Sequence, residues 1–151
     1  MDSTTPDIDD LATLLFSLPT ERLTTDAVTA LLTHEIAGWA VMRGWTPRRE
    51  ARVVLPTMAE REVDLRLGYI DLVISRGGRD PDLAIEIDST QKPWSLAKLR
   101  YAVAAGMHGI WVRWGATDWA GVYDDVDVIQ LWTVKRALPR PRATSQLTLW
   151  S

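Results

Sequence analysis

Two apolar runs, Tyr69 to Ser75 and Asp82 to Asp88, flank the polar turn Arg76-Gly77-Gly78-Arg79-Asp80-Pro81, and both carry acids among their apolar residues. Asp71 stands between Tyr69-Ile70 and Leu72-Val73-Ile74, while Glu86 and Asp88 alternate with Ile85 and Ile87. Runs that are apolar on both faces near their middles predict strands covered by helices on each side. An ionised carboxylate is costly to bury unless it is paired or binds a cation. Three acids at the ends of neighbouring buried strands therefore suggest a site for a divalent metal.

The rest of the chain is arranged around this pair of strands. Leu11, Leu14, Leu15 and Leu18 have helical spacing over Ile8 to Leu18, which ends at Pro19. Thr24-Thr25-Asp26 is a helix start. From Ala27 to Arg43 the apolar positions Val28, Leu31, Leu32, Ile36, Trp39, Ala40 and Met42 follow a 3.6 period, and Gly44 suits the C-terminal cap. Arg52 to Leu55 predicts a short strand closed by Pro56. The segment from Thr57 to Leu67 is either a strand with one solvated face or a loop that folds around substrate. Ser95 predicts an N-cap for a helix reaching about Ala105, with Leu96, Leu99, Ala102 and Val103 on its apolar face. His108 to Trp114 predicts a third apolar strand, parallel to the second through a helical crossover. In it Ile110, Val112 and Trp114 share one face, and Trp111 and Arg113 the other. Asp127 to Val134 predicts a last strand. The expectation is one domain of 151 residues: an α/β sandwich with a mixed sheet, a core at about 26–134, an N-terminal helical extension at 1–20 and a C-terminal tail at 136–151.

Composition removes several chemistries. The chain has no cysteine, which excludes disulfides and thiolate chemistry, and two histidines make a zinc site a poor expectation. The net charge of −3 argues against a general polyanion-coating protein but leaves room for a local basic face. No apolar run approaches the roughly 20 residues that cross a bilayer. The acidic N-terminus lacks the pattern of a signal peptide, so a cytoplasmic location is expected.

A helix bearing Glu35, a strand, Asp71 in a strand, Glu86-Ile87-Asp88 in the next, then a helix and a strand together resemble the PD-(D/E)XK nuclease superfamily, the restriction-endonuclease-like fold with its α-β-β-β-α-β core. The resemblance covers roughly Asp26 to Trp114. In that superfamily the motif acids sit where a central hairpin splays apart. The resemblance implies Asp71 and Glu86 as ligands of Mg²⁺ or Mn²⁺, with Ile87 supplying a backbone carbonyl and Glu35 an accessory ligand. It implies hydrolysis of a phosphodiester, of DNA above all, by a metal-activated water. Hard oxygen ligands suit Mg²⁺, which uses one or two carboxylates and keeps several waters.

One position departs from the pattern: Asp88 replaces the usual motif lysine, and an acid cannot stabilise negative charge on phosphate. Lys98, on the following helix, is placed either to reach back to the strand end or to face solvent, and Lys92 lies in the connecting loop. Gln91 and Ser95 are polar candidates at the same edge. Glu35 is either a boundary residue paired with a base or a side chain directed at the acidic site. The acids could instead pair with Arg52, Arg100 or Arg113 in an inert domain, or the fold could serve as a catalytically inactive binding or assembly module. Arg43, Arg48, Arg49 and Arg52 are candidates for phosphate contact or a solvated face. Five of the eight tryptophans (Trp111, Trp114, Trp119, Trp132, Trp150) fall in the last third. They are read first as core, then as a platform for unpaired bases or a self-association surface that would make a homodimer.

Overall fold

The computed structural model describes residues 4–58, 63–78, 80–90, 92–115 and 123–131. The expectations for Glu60 to Glu62, Gln91, Trp119, Trp132, Trp150 and the tail at 136–151 lie outside these residues. The fold is mixed α/β, with helices α1 (Thr4–Phe16), α2 (Thr25–Met42) and α3 (Pro93–Ala104) and strands β1 (Thr46–Met58), β2 (Val63–Ser75), β3 (Leu83–Asp88), β4 (His108–Trp114) and β5 (Val126–Leu131). The strands form one sheet in the order β1-β2-β3-β4-β5. β1, β2 and β3 are successively antiparallel, whereas β3, β4 and β5 are parallel. Among the described residues no helix is long and apolar enough to cross a membrane.

Period-2 alternation divides the core between the sheet's two faces. Ile85, Ile87, Ile110, Val112 and Trp114 join α1 and α2 through Leu11, Leu15, Leu32 and Ile36. Ala84, Val73, Trp111 and Val126 join α3 through Leu99 and Ala102. Position 86 therefore faces α3 rather than α2, which decides the partner of Glu86. Gly109 lets α3 lie close to β4: a Cβ there would stand 3.1 Å from Val103 Cγ2 and 3.6 Å from Leu99 Cβ.

Local signals account for most boundaries. Thr24 caps α2, its hydroxyl accepting from the Ala27 N–H at 3.1 Å. Two expectations need correction. β1 runs from Thr46 to Met58, so Pro56 does not end it. β1 is the outermost strand, where a missing N–H leaves the ladder intact. Ser95 is not the cap of α3: Lys92 holds that place without a side-chain bond, and Pro93 opens the first turn with its φ already helical. Ser95 is buried inside that turn. For the segment that ends at Leu67 the strand alternative holds from Val63 onward, paired with β1.

Candidate functional site

The β2–β3 ladder runs only from Ile74↔Leu83 to Leu72↔Ile85. Beyond that step β3 stays with β4 as far as Asp88↔Arg113, while β2 stays with β1. The two strands part at Asp71 and Glu86. β1 registers the same point: Glu50, between the paired Arg49 and Ala51, has φ of 49° and drops out of the ladder opposite Asp71.

Side chains replace the ladder bonds lost at the split. The Asp71 N–H donates to Glu86 Oε2 at 2.9 Å, and the Ile87 N–H donates to Asp71 Oδ2 at 2.8 Å. Each carboxylate thus satisfies a backbone donor of the opposite strand, one that would otherwise be left buried without an acceptor. Lys98 completes the arrangement from α3. Its Nζ stands 3.0 Å from Glu86 Oε1 and donates to the Tyr69 carbonyl at 2.7 Å. Asp88, one alternation further along β3, accepts from Trp111 Nε1 at 2.8 Å and lies 3.5 Å from Lys92 Nζ.

These groups open onto a cavity of about 600 Å³ lined by Asp71, Glu86, Asp88, Lys92, Trp94, Ser95 and Lys98, with Thr25, Asp26 and Thr29 of α2 across it. Glu86 is 2% exposed. Burial first, and then the charge of Asp71, push its pKa up to about 7, against the opposing pull of Lys98. Burial also raises the Asp71 pKa, with Asp88 adding to the rise and the Ile87 N–H opposing it. Both shifts favour the protonated carboxyls, and a cation placed beside them would oppose both.

Of the sequence candidates, Asp71, Glu86, Asp88 and Lys98 line this one cavity, and Ile87 contributes its backbone there while its side chain joins the α1–α2 core. Glu35 does not line it. It borders a separate, largely apolar depression with Leu14, His34, Gly38, Trp39 and Met42. Nine residues separate Glu35 from Asp26, about 13 Å along a helix rising ~1.5 Å per residue. The helical period places Glu35 beside the buried stripe without bringing it to the strand ends. Asp26 and Thr29 were missed as wall residues because Thr24-Thr25-Asp26 carries a sufficient meaning as a helix start. The arginine pairings do not occur at these acids among the described residues: Arg100 pairs with Asp125, and Arg113 donates to Gln130.

The donor set fits a small hard cation in one respect and falls short in another. Asp71 and Glu86 are the one or two carboxylates that Mg²⁺ ordinarily takes. Yet among the described residues no three His, Cys, Asp or Glu side chains are gathered closely enough to hold a metal ion, and Asp88 is engaged by Trp111 and Lys92. Compared with protein-family models, curated proteins and solved structures, the chain matches none.

Proposed function

We propose that the chain is a Mg²⁺- or Mn²⁺-dependent nuclease that hydrolyses phosphodiesters, with DNA the substrate the sequence resemblance implies. The observation that carries this reading is the pair of carboxylates at the parting of β2 and β3, Glu86 buried and Asp71 half-buried, bridged to a half-buried lysine on the wall of an open cavity. The succession α2-β1-β2-β3-α3-β4, antiparallel and then parallel, supports a restriction-endonuclease-like core. Asp71 and Glu86 would hold the cation, with the Ile87 carbonyl beside them. Such a cation supplies a more acidic water and neutralises charge on the phosphate. Lys98 brings from α3 the positive charge that Asp88 cannot bring from β3, and it is the group to stabilise charge building on the phosphate oxygens. Asp88, held by the Trp111 indole, keeps an acceptor on the same wall. Asp26, on the first turn of α2, takes the place across the cavity that Glu35 does not reach. So small a domain would draw specificity from a partner protein or a second copy.

A second reading has its own support. Without a metal, Glu86 already has Lys98 and the Asp71 N–H as partners and Asp71 has the Ile87 N–H, as they would in an inactive member of the fold that serves as a binding or assembly module. The test is cleavage of labelled single- and double-stranded DNA and of RNA with Mg²⁺, Mn²⁺ or EDTA, comparing the wild type with Asp71→Ala and Glu86→Ala. Metal-dependent cutting lost in both variants is the expected result. A folded wild type that cuts nothing and shows no metal binding by calorimetry leaves the second reading standing.

A further inference from the structure

Lys98 rises from the second turn of α3, its side chain only 12% exposed, and spans the gap between the separating strands. One contact is on β3, at Glu86 Oε1, and the other on β2, at the Tyr69 carbonyl. Among the described residues its ammonium is the cation paired with Glu86, and it offsets one unit of the charge that Asp71 and Glu86 place in the cavity. A Mg²⁺ ion coordinated by Glu86 would sit about 2 Å from a carboxylate oxygen. With the ammonium 3.0 Å from Oε1, two cations would crowd one carboxylate at strongly repulsive range.

We infer that Lys98 is a built-in competitor of the divalent cation: the ion gains Glu86 only as the ammonium leaves it. This rests on the metal-dependent reading above and adds the regulation of that site. Once released from Glu86, Lys98 keeps the Tyr69 carbonyl as an anchor and has donors to spare for an anionic ligand, since an ammonium carries three. Metal loading and the arming of the lysine are then one event. Linkage makes the effect reciprocal: a phosphate that draws Lys98 off Glu86 tightens metal binding, and the metal tightens phosphate binding by the same factor.

Calorimetric titration of the full chain with Mn²⁺ tests this, using the wild type, Lys98→Met, Lys98→Gln and Lys98→Arg, each checked for folding by circular dichroism. Lys98→Gln keeps a donor for the Tyr69 carbonyl and guards against a folding defect in Lys98→Met. The expected result is Mn²⁺ binding about tenfold tighter or more in both uncharged variants, with Lys98→Arg close to wild type. In the wild type, inorganic phosphate should tighten Mn²⁺ binding, and in Lys98→Gln that gain should shrink. If the wild type binds Mn²⁺ and the uncharged variants bind it equally or more weakly, the competition is overturned while the metal-dependent reading survives. If no form binds Mn²⁺, both fail.

Discussion

The β2–β3 hairpin ends in charged clusters at both extremities, and the two are built on opposite plans. At the turn end, Arg76 is buried and donates to Asp7 at 2.9 Å and to the Pro81 carbonyl at 2.7 Å. Arg43 pairs with Asp7 and Asp10 and lies over the rings of Trp39 and Trp45. Among the described residues two guanidiniums meet two carboxylates there, and the Asp10 pKa is lowered, first by the Trp39 indole and then by Arg43. At the splayed end, Asp71, Glu86 and Asp88 face two lysines, and the pKa values of Asp71 and Glu86 are raised. Planar, permanently charged arginines suit fixed pairing, whereas an ammonium on a flexible stem exchanges partners readily. The turn-end cluster fastens α1 to α2 and the sheet. The splayed end keeps more carboxylates than ammonium groups in a cavity, an arrangement that stabilises the fold poorly and that, on the proposed reading, a divalent cation would relieve.

The contrast is tested most severely by activity. Glu86→Ala should reduce divalent-dependent cleavage by at least about a hundredfold, whereas Arg76→Ala should leave the cleavage rate of the folded fraction unchanged. Rates normalised to folded protein decide this. Arg76→Ala instead removes one of the two arginines paired with a part-buried Asp7 and leaves Arg43 in place, a loss of about 2–3 kcal/mol in denaturant unfolding. The pH dependence of stability comes next. The folded-state pKa of Glu86, about 7, lies above its ordinary value of 4.5, so the folded chain holds this proton more tightly than the unfolded one. Its contribution is complete below pH 4.5 and lost as pH rises through 7, on the order of 2–3 kcal/mol. Unfolding at fixed ionic strength, without added metal, should show that slope in the wild type and a flatter one in Glu86→Gln. Trp111→Phe deprives Asp88 of its indole donor and should cost about 1–2 kcal/mol by the same assay. The smallest effect belongs to Asp10→Asn, on the solvent side of the turn-end cluster. A lowered pKa gives stability that is present above 3.8 and lost on acidification. Wild type and variant should therefore converge in melting temperature at acid pH and differ slightly at neutral pH.

What could be read from the sequence was what has a short period. The assignment of Ile110, Val112 and Trp114 to one face and Trp111 to the other followed from alternation alone, and the structure places them so. The start of α2 followed from Thr24, and the acids of β2 and β3 stood out because carboxylates are rare in apolar runs. What depends on neighbours in space could not be read. Pro56 stops a strand only where its missing N–H has a partner waiting, and the outer position of β1 is a property of the sheet. Ser95 and Pro93 both announce a helix start, and local sequence does not rank them. Glu35 has the right helical phase but the wrong height. For Lys98 the chain shows a base on a helix, and only the depth of α3 against β4 brings it to Glu86.

That depth depends on a missing side chain. A methyl group at position 109 would stand 3.1 Å from Val103 Cγ2, closer than packed carbons normally come, and would touch Leu99, the residue after Lys98, at 3.6 Å. Gly109 therefore works as a shim of zero thickness beneath α3. Substituting alanine would make Val103 give way by a few tenths of an ångström, and any part of that taken up by the helix would carry the lysine with it. A position that touches none of the acids would then set how firmly the ammonium grips them.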